Sequence, residues 1–441
     1  MQMNILIIGA GTVGFLLAKN LSYKNNVIVV DINGVKLEHL QDNIDILAIE
    51  GNAENPKTFQ QITTKDIDLF IAVTDKDETN LITTLIVDDV LNVQKKFIRL
   101  KNSFFENSTI KDKLNITELI LPDTITARKT ATIIDHPKAN SIKTFENTQM
   151  VLASVIATNK SYPAIDDNYT ECKIIGVERD KELILRKDID TIEINDVVYI
   201  FGDIEQIEGI FSILHSGNGQ KIDKCIIFGA NQLGILIAKI FHEKGIDVKL
   251  IDRKANLCQK AEDALFGEVT VIHSEYGISE LLEKQELNYA DLVLCATESD
   301  EYNIIASIMA KDMGVKKVLS VNNEMEYYNI MHSLGITIVR GTKVNAYYTI
   351  MERMYSDNVI TEKKFSGGKA VIFLHKIYSK SKLANRYIKK RKILEDTIVI
   401  ILRDDNVFIL NEDFTFRVND MLVIFAVKSA INIVKDWVYE L

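Results

Sequence analysis

Short apolar runs alternate with stretches of helical periodicity over the first 140 residues. "NILII" (4–8), "VIVVD" (27–31), "DILAIEG" (45–51), "LFIAV" (69–73) and "KKFIRLKN" (95–102) are strand-like, and amphipathic segments such as 12–21 and 77–90 separate them. This alternation predicts βαβ units closing a parallel sheet. The texture changes at 150–202, where short β-rich runs are separated by charged turns. The whole plan is then written again. "MNILIIGAGTVGFLLAKNLSYKNNVIVVDIN" (3–33) matches "DKCIIFGANQLGILIAKIFHEKGIDVKLIDRK" (223–254), and "KKFIRLKN" parallels "KKVLSVNN". In the later segments "IIGVERDKELILRKDIDTIEINDVVYIFG" aligns without a gap to "VIILRDDNVFILNEDFTFRVNDMLVIFA", so "RDKE" and "RDDN" predict matching hairpin turns.

The expected fold class is therefore α/β, with two doubly wound parallel sheets of Rossmann type, each followed by a small β-rich α+β module. The expected domains are 1–140 and 222–355 for the parallel sheets, and 141–218 and 366–441 for the modules. "HSGNGQKID" (215–223) is the expected linker between the repeats.

Composition narrows the function classes. The chain has 441 residues, 47% apolar and 26% charged, as an ordinary folded protein does. The uncharged first eighteen residues contain Gln2, Asn4 and three glycines and lack a basic leader, which argues against a signal peptide or anchor. No other apolar stretch approaches the roughly 18 residues of a spanning helix, so a cytoplasmic location is expected. The net charge of −10 is carried by the first half, which disfavours nucleic acid as partner. Four scattered cysteines without a CxxC pair, and seven histidines without HxxxH spacing, give no metal or disulfide framework.

The candidate chemistry lies at the carboxyl ends of the strands. In "GAGTVG", Gly9, Gly11 and Gly14 form GxGxxG between a strand and a helix, with Ala10, Thr12 and Val13 completing the loop. The three glycines serve a tight turn, close approach of a pyrophosphate and close helix–strand packing. Asp31, 22 residues after Gly9, is placed to accept from both ribose hydroxyls and to repel a 2′-phosphate, favouring NAD over NADP. Arg99 is the one cation at a strand end, a natural phosphate partner. The second copy, Gly229, Ala230, Asn231, Gln232, Leu233 and Gly234, keeps Asp252 but has Asn231 for the middle glycine and Ser320 for the arginine. Even a Cβ at Asn231 is expected to crowd a pyrophosphate, so this site is either a relic or a weakened one.

A polar sentence, TxxDExN, also recurs in register: Thr74/Thr297, Asp77/Asp300, Glu78/Glu301 and Asn80/Asn303. Asp77, Glu78 and Asn80 are expected to cap the next helix, leaving Thr74 and Asp75 to line the adenosine side. No His/Asp pair, YxxxK or activated nucleophile accompanies the fold, so no catalysis is expected. The rival reading is an NAD-dependent oxidoreductase with its substrate site between the halves, and the plainest is a scaffold with no working site.

These residues, with "TDKDETN" after the fourth strand, closely resemble the TrkA family of peripheral regulatory subunits of bacterial Trk potassium uptake, built of RCK/KTN domains with RCK-C partners. The resemblance spans essentially the whole chain. It implies a cytosolic ring on the inner face of the membrane, binding NAD(H) or ATP/ADP to set the gate of a TrkH/TrkG-type potassium channel subunit. It further implies a homo-oligomer, plausibly closed as a tetramer of tandem chains. By carry-over the pyrophosphate loop is Gly9 to Val13, the ribose acid Asp31, the adenosine edge Thr74 and Asp75, and the phosphate or ribose arginine Arg99. The second set is Gly229 to Leu233, Asp252, Thr297 and Glu298. Gly51-Asn52 and Ser274-Glu275 depart from the family's glycine-acid pair, and "VRGTK" lacks the proline-acid pair that Pro122-Asp123 keeps. The basic run 376–392, with eight Lys/Arg and no acid, reads first as a solvated face and second as a contact for anionic lipid or an acidic channel surface.

Overall fold

The computed structural model describes residues 2–64, 66–145, 148–180, 182–216, 221–275, 290–324, 327, 330–331, 334, 336–354, 360–379, 381–388, 396–404, 406–410 and 414–439. Residues 217–220 of the expected linker and 389–395 of the basic run lie outside these.

The first repeat opens with a six-stranded sheet: β1 (Asn4–Ile8), β2 (Asn26–Asp31), β3 (Leu47–Glu50), β4 (Asp66–Ala72), β5 (Asn92–Arg99) and β6 (Glu118–Ile120). Their order, β3-β2-β1-β4-β5-β6, is that of the doubly wound dinucleotide fold, and every pairing is parallel. Its strands are buried on both faces, which is why "ILII" and "LFIA" are continuous rather than alternating. The chain reverses direction between β1 and β4, and the ends of these strands are where such sheets bind ligands.

A five-stranded antiparallel sheet follows: β7 (Ser141–Phe145), β8 (Thr148–Ile156), β9 (Cys172–Arg179), β10 (Glu182–Leu185) and β11 (Val197–Gly202), ordered β10-β9-β11-β8-β7. The second repeat copies both sheets. β12 (Lys224–Phe228), β13 (Asp247–Asp252), β14 (Thr270–His273), β15 (Leu292–Cys295), β16 (Lys317–Asn322) and β17 (Thr337–Arg340) take the order β14-β13-β12-β15-β16-β17. β18 (Ile360–Phe365) and β19 (Ala370–Lys376) lead into the second module. After the short β20 (Tyr387–Ile388) come β21 (Thr397–Arg403), β22 (Asn406–Ile409), β23 (Phe414–Thr415) and β24 (Met421–Val427). The five-stranded order β18-β19-β24-β21-β22 is that of the first module read from its other edge.

The predicted hairpin turns are present and held identically. Asp180 and Asp404 each adopt φ 51°, and a bidentate arginine locks each module. Arg179 Nε and Nη2 donate to Asp196 at 2.8 and 2.6 Å, and Arg403 to Asp420 at 2.8 and 2.7 Å. Each guanidinium also donates to a carbonyl, of Thr191 or Thr415.

The compact units do not coincide with the repeats. One joins 1–127 with 340–353; the other comprises 128–339 and 354–441. Within the first unit, the helix Thr342–Met354 of the second repeat is bound to the first: Asn345 Nδ2 donates to Thr126 Oγ1 at 2.8 Å, and Arg353 pairs with Glu118. Within the second unit, Lys317 Nζ donates to the carbonyls of Ile133 and Pro137, both at 3.3 Å, at the end of the helix Pro122–Asp135. The repeats have thus exchanged helical segments, which ties each to the other more firmly than a linker can.

The two small sheets also share a core in the second unit. Phe201, Phe365 and Phe425 pack edge-to-face, with centroids 5.5 and 5.9 Å apart. Buried Glu178 accepts from Lys369 Nζ at 2.8 Å, from Ser366 and from Tyr199, so the one buried acid between the sheets is fully partnered. No helix among the described residues is long and apolar enough to cross a membrane.

Candidate functional site

Each glycine of the first loop has a separate physical reason. Gly9 sits at φ 106°, left-handed territory, and a Cβ there would lie 3.2 Å from the Thr74 amide. A Cβ on Gly14 would fall 1.8 Å from the Gly9 carbonyl oxygen, so this position sets how closely helix and strand pack. Gly11 has ordinary extended backbone, and a Cβ there would meet no protein atom within 4 Å. Protein packing does not require glycine at that position; the open space over the loop does. Gly11 also leaves the helix Thr12–Leu21 without a side-chain cap, so its first N–H groups are free for an anion.

Asp31 is aimed by the loop itself. One carboxylate oxygen accepts the Ala10 N–H at 2.6 Å and the other the Asn33 N–H at 2.8 Å. The lone pairs left over face the ribose position of a dinucleotide.

The repeated TxxDExN proves to be a latch between strand ends. Asn80, fully buried, accepts from the Thr74 N–H (3.0 Å) and hydroxyl (2.7 Å), and donates to the carbonyls of Thr74 (3.1 Å) and Arg99 (2.8 Å). Asp77 accepts from the N–H groups of Lys101 (2.8 Å) and Asn102 (3.0 Å). The expected capping of the next helix is thus replaced by a clamp on the loop after β5; Asp77 and Glu78 still lie in the helix's first turn, where their charge is favourable. Thr74 presents backbone, not a free hydroxyl. The second repeat builds the same latch: Asn303 binds Thr297 and the Val321 carbonyl, and Asp300 accepts from Asn323 and Glu324.

At the end of β5, Arg99 is only 4% exposed. Its Nη1 reaches Asp75 at 3.3 Å and the Val73 carbonyl at 3.4 Å, both long, and its buried Nε has no partner. A buried cation with an idle donor is costly unless something else binds it. Lys101 lies 3.6 Å from Asp75. Burial raises the Asp75 pKa, but Lys101, Arg99 and Lys343 outweigh it and hold the carboxyl below the ordinary range. Burial pushes Asp123 up to about 6 despite Arg99 and Lys101. This first site fits a dinucleotide: an open loop over free N–H groups, an oriented acid for ribose, and an incompletely paired arginine where phosphates would lie.

The second site keeps the scaffold and changes the lining. Gly229 has φ 115°, and Gly234 repeats the 1.8 Å approach to the preceding glycine carbonyl. Asp252 accepts from Ala230 and Lys254, both at 2.8 Å. Asn231 has the backbone of Gly11, yet its side chain turns inward: Nδ2 donates to the Ala296 carbonyl at 2.8 Å, and Oδ1 accepts the Gly234 N–H at 3.0 Å. The substitution expected to crowd a phosphate therefore also occupies one of the helix N–H groups that would bind it. Ser320, fully buried, stands where the first site has Arg99. A cavity of about 430 Å³ nevertheless opens here, floored by Phe228 and Ile251 and walled by Asp252, Arg253, Lys254, Glu298 and Tyr302. Sequence reasoning passed over Arg253 and Lys254, although "IDRK" against "VDIN" displays them.

All four cysteines are buried and free, and burial pushes Cys172 and Cys295 up to about 12, so these thiols are inert packing groups. Among the described residues no cluster of His, Cys, Asp and Glu could hold a metal ion.

Fold and site together define a tandem α/β protein of Rossmann type with two nucleotide-site scaffolds and paired β modules. The TrkA-N domain family model matches residues 5–122 and 225–340, and the chain belongs to that family. It is 26% identical to a Trk system potassium uptake protein TrkA homolog of Archaeoglobus fulgidus, over 98% of this chain and 99% of that protein. It is 25% identical to the Trk system potassium uptake protein TrkA of Vibrio alginolyticus, over 97% and 96% of the two. Among solved structures, the crystal structure of the GsuK RCK domain superposes with a TM-score of 0.60 at 15% identity, covering 100% of this chain and 95% of that one. The GsuK channel bound to NAD gives 0.61, also at 15% identity, over 100% and 79%.

Proposed function

We propose that this chain is the cytosolic, nucleotide-binding regulatory subunit of a membrane potassium uptake system, and that it works as a regulator and not as an enzyme. The observation that carries this reading is Arg99: a buried guanidinium with an idle Nε, beside an uncapped helix N-terminus and an oriented Asp31. Relatives matched over nearly the full length carry the name of Trk potassium uptake proteins, and an NAD-bound channel shares the fold. NAD(H) is the ligand the first site favours, with ATP and ADP as competitors for it. The partner is a TrkH/TrkG-type channel subunit on the inner face of the membrane, and the chain acts as a homo-oligomer, closed as a tetramer of tandem chains.

Ligand binding shifts a conformational equilibrium that the channel reads; it can do so only by as much as its affinities for the two conformations differ. The exchanged helix Thr342–Met354 offers a route, since Lys343 bears electrostatically on Asp75 of the first site. The test is potassium flux through the membrane subunit in proteoliposomes, with and without this chain and with NADH, NAD, ATP or ADP. Flux that depends on the chain and on at least one nucleotide supports the proposal. Flux indifferent to the chain under every condition refutes it.

A further inference from the structure

The second site has not merely lost phosphate contacts; its positive charge has moved. At the first site the cations Arg99 and Lys101 stand at the end of β5 and the loop after it, and the ribose edge has none: Asp31 is followed by Ile32 and Asn33, and β3 beside it ends on Glu50. At the second site Ser320 takes the place of Arg99, and Asn231 ties up the helix terminus. The ribose edge there carries Asp252, Arg253 and Lys254, and β14 ends on His273 in the place of Glu50. Two acids without a base have become one acid, two bases and a histidine.

These groups border a real space. Arg253 and Lys254 both line the cavity of about 430 Å³. Arg253 is exposed and forms no ion pair among the described residues, while His273 Nε2 lies 3.2 Å from its carbonyl oxygen. Lys254 Nζ reaches across to Glu298 at 3.5 Å, a long contact between exposed groups that a stronger anion would displace. Asp252 has both oxygens engaged by backbone N–H groups, which reduces its repulsion of a nearby anion. Tyr302 and Leu257 supply apolar wall for a base.

We infer that the second pocket binds an adenine nucleotide carrying a phosphate on its ribose, held by Arg253 and Lys254, with no requirement for a pyrophosphate at the glycine loop. A base next to the ribose acid is the general device by which such folds accept a 2′-phosphate. The inference rests on the nucleotide-binding reading of the family's fold and assigns the second site a ligand chemistry of its own. NADP(H) and a free adenosine 2′-phosphate share the recognised group.

The experiment uses the whole chain carrying Gly11→Leu, which fills the first site from a position where an added Cβ meets no protein atom within 4 Å. Adenosine 2′-phosphate, adenosine 5′-phosphate, NADPH and NADH are titrated calorimetrically. The ligands with a 2′-phosphate should bind at least about tenfold more tightly than their counterparts, the contribution of one charged hydrogen bond. Adenosine 2′-phosphate binding as tightly as NADPH supports the idle glycine loop; a dinucleotide bound much more tightly overturns that part. Arg253→Ile with Lys254→Asn, which installs the first site's residues, should abolish the preference. Equal affinities with and without the 2′-phosphate overturn the inference. Absence of any binding to the Gly11→Leu chain, with NADH still binding wild type, also overturns it while the regulatory reading stands. Failure of every nucleotide to bind wild type overturns both.

Discussion

Replacing Arg99 by serine, the residue the second repeat uses, should separate function from stability. Arg99 is 4% exposed, its Nε is unpartnered, and its two nearest acceptors lie at 3.3 and 3.4 Å. Removing it relieves a desolvated charge and orphans little, because the Asp75 side chain is 72% exposed and keeps Lys101 nearby. The folded state without ligand should therefore melt at the wild-type temperature or slightly above. Affinity for NADH should instead fall by roughly tenfold or more, since a charged hydrogen bond to phosphate contributes about 1.5–3 kcal/mol. Loss of the guanidinium also removes a cation that lowers Asp123, so that carboxyl should titrate above its present value of about 6. Thermal melting without ligand and calorimetry with NADH check both halves of the argument. A lower melting temperature with unchanged NADH affinity would show that Arg99 is a structural ion-pair residue, and the reasoning would fail.

Three further outcomes follow from particular contacts. His375 is buried with neither ring nitrogen partnered, and burial lowers it to about 4, so the unfolded chain, titrating near 6.5, binds protons more readily than the folded one. Its contribution is fully present above pH 6.5 and is lost as the pH falls toward 4, by at most about 3 kcal/mol. Asp123 runs the opposite way over part of that window, so the check is the difference in urea midpoints between wild type and His375→Phe, which should grow as the pH is lowered and vanish at pH 8. Arg403→Lys should lower the melting temperature of the chain even though charge is retained, because a lysine cannot reproduce the two-point bond to Asp420 plus the bond to the Thr415 carbonyl; an unchanged melt would refute this. Asn231→Gly should free the Gly234 N–H and cost about 1 kcal/mol or less as a lost helix cap, while strengthening any pyrophosphate ligand at the second site; unaltered NADH binding there contradicts the capping account.

Much of this was legible in the residues. The alternation of apolar runs and amphipathic stretches, repeated with register, gave both six-stranded sheets and both modules, and the resemblance to the TrkA family held when the family was compared directly. What escaped the sequence has physical causes. The helical period of 342–354 shows that a helix forms, but not that Asn345 and Arg353 pack it on the first repeat. Asp77 reads as a helix cap because acids favour first turns; only the fold brings Lys101 and Asn102 to its carboxylate. The shared core of the small sheets had a signal: β19 and β24 are apolar at consecutive positions, which requires cover on both faces. Arg253 and Lys254 were in plain view and were overlooked because attention stopped at the ribose acid.

The central claim is that the first repeat holds a nucleotide through its glycine loop, Asp31 and Arg99. Calorimetric titration of NADH into the whole wild-type chain and into the Gly11→Leu chain tests it most directly, with circular dichroism showing that both are folded. The account predicts a saturable site in wild type whose heat disappears when the leucine fills the space above the loop. Saturable binding of equal strength in both chains, or none in wild type for NADH, NAD, ATP or ADP, would contradict it.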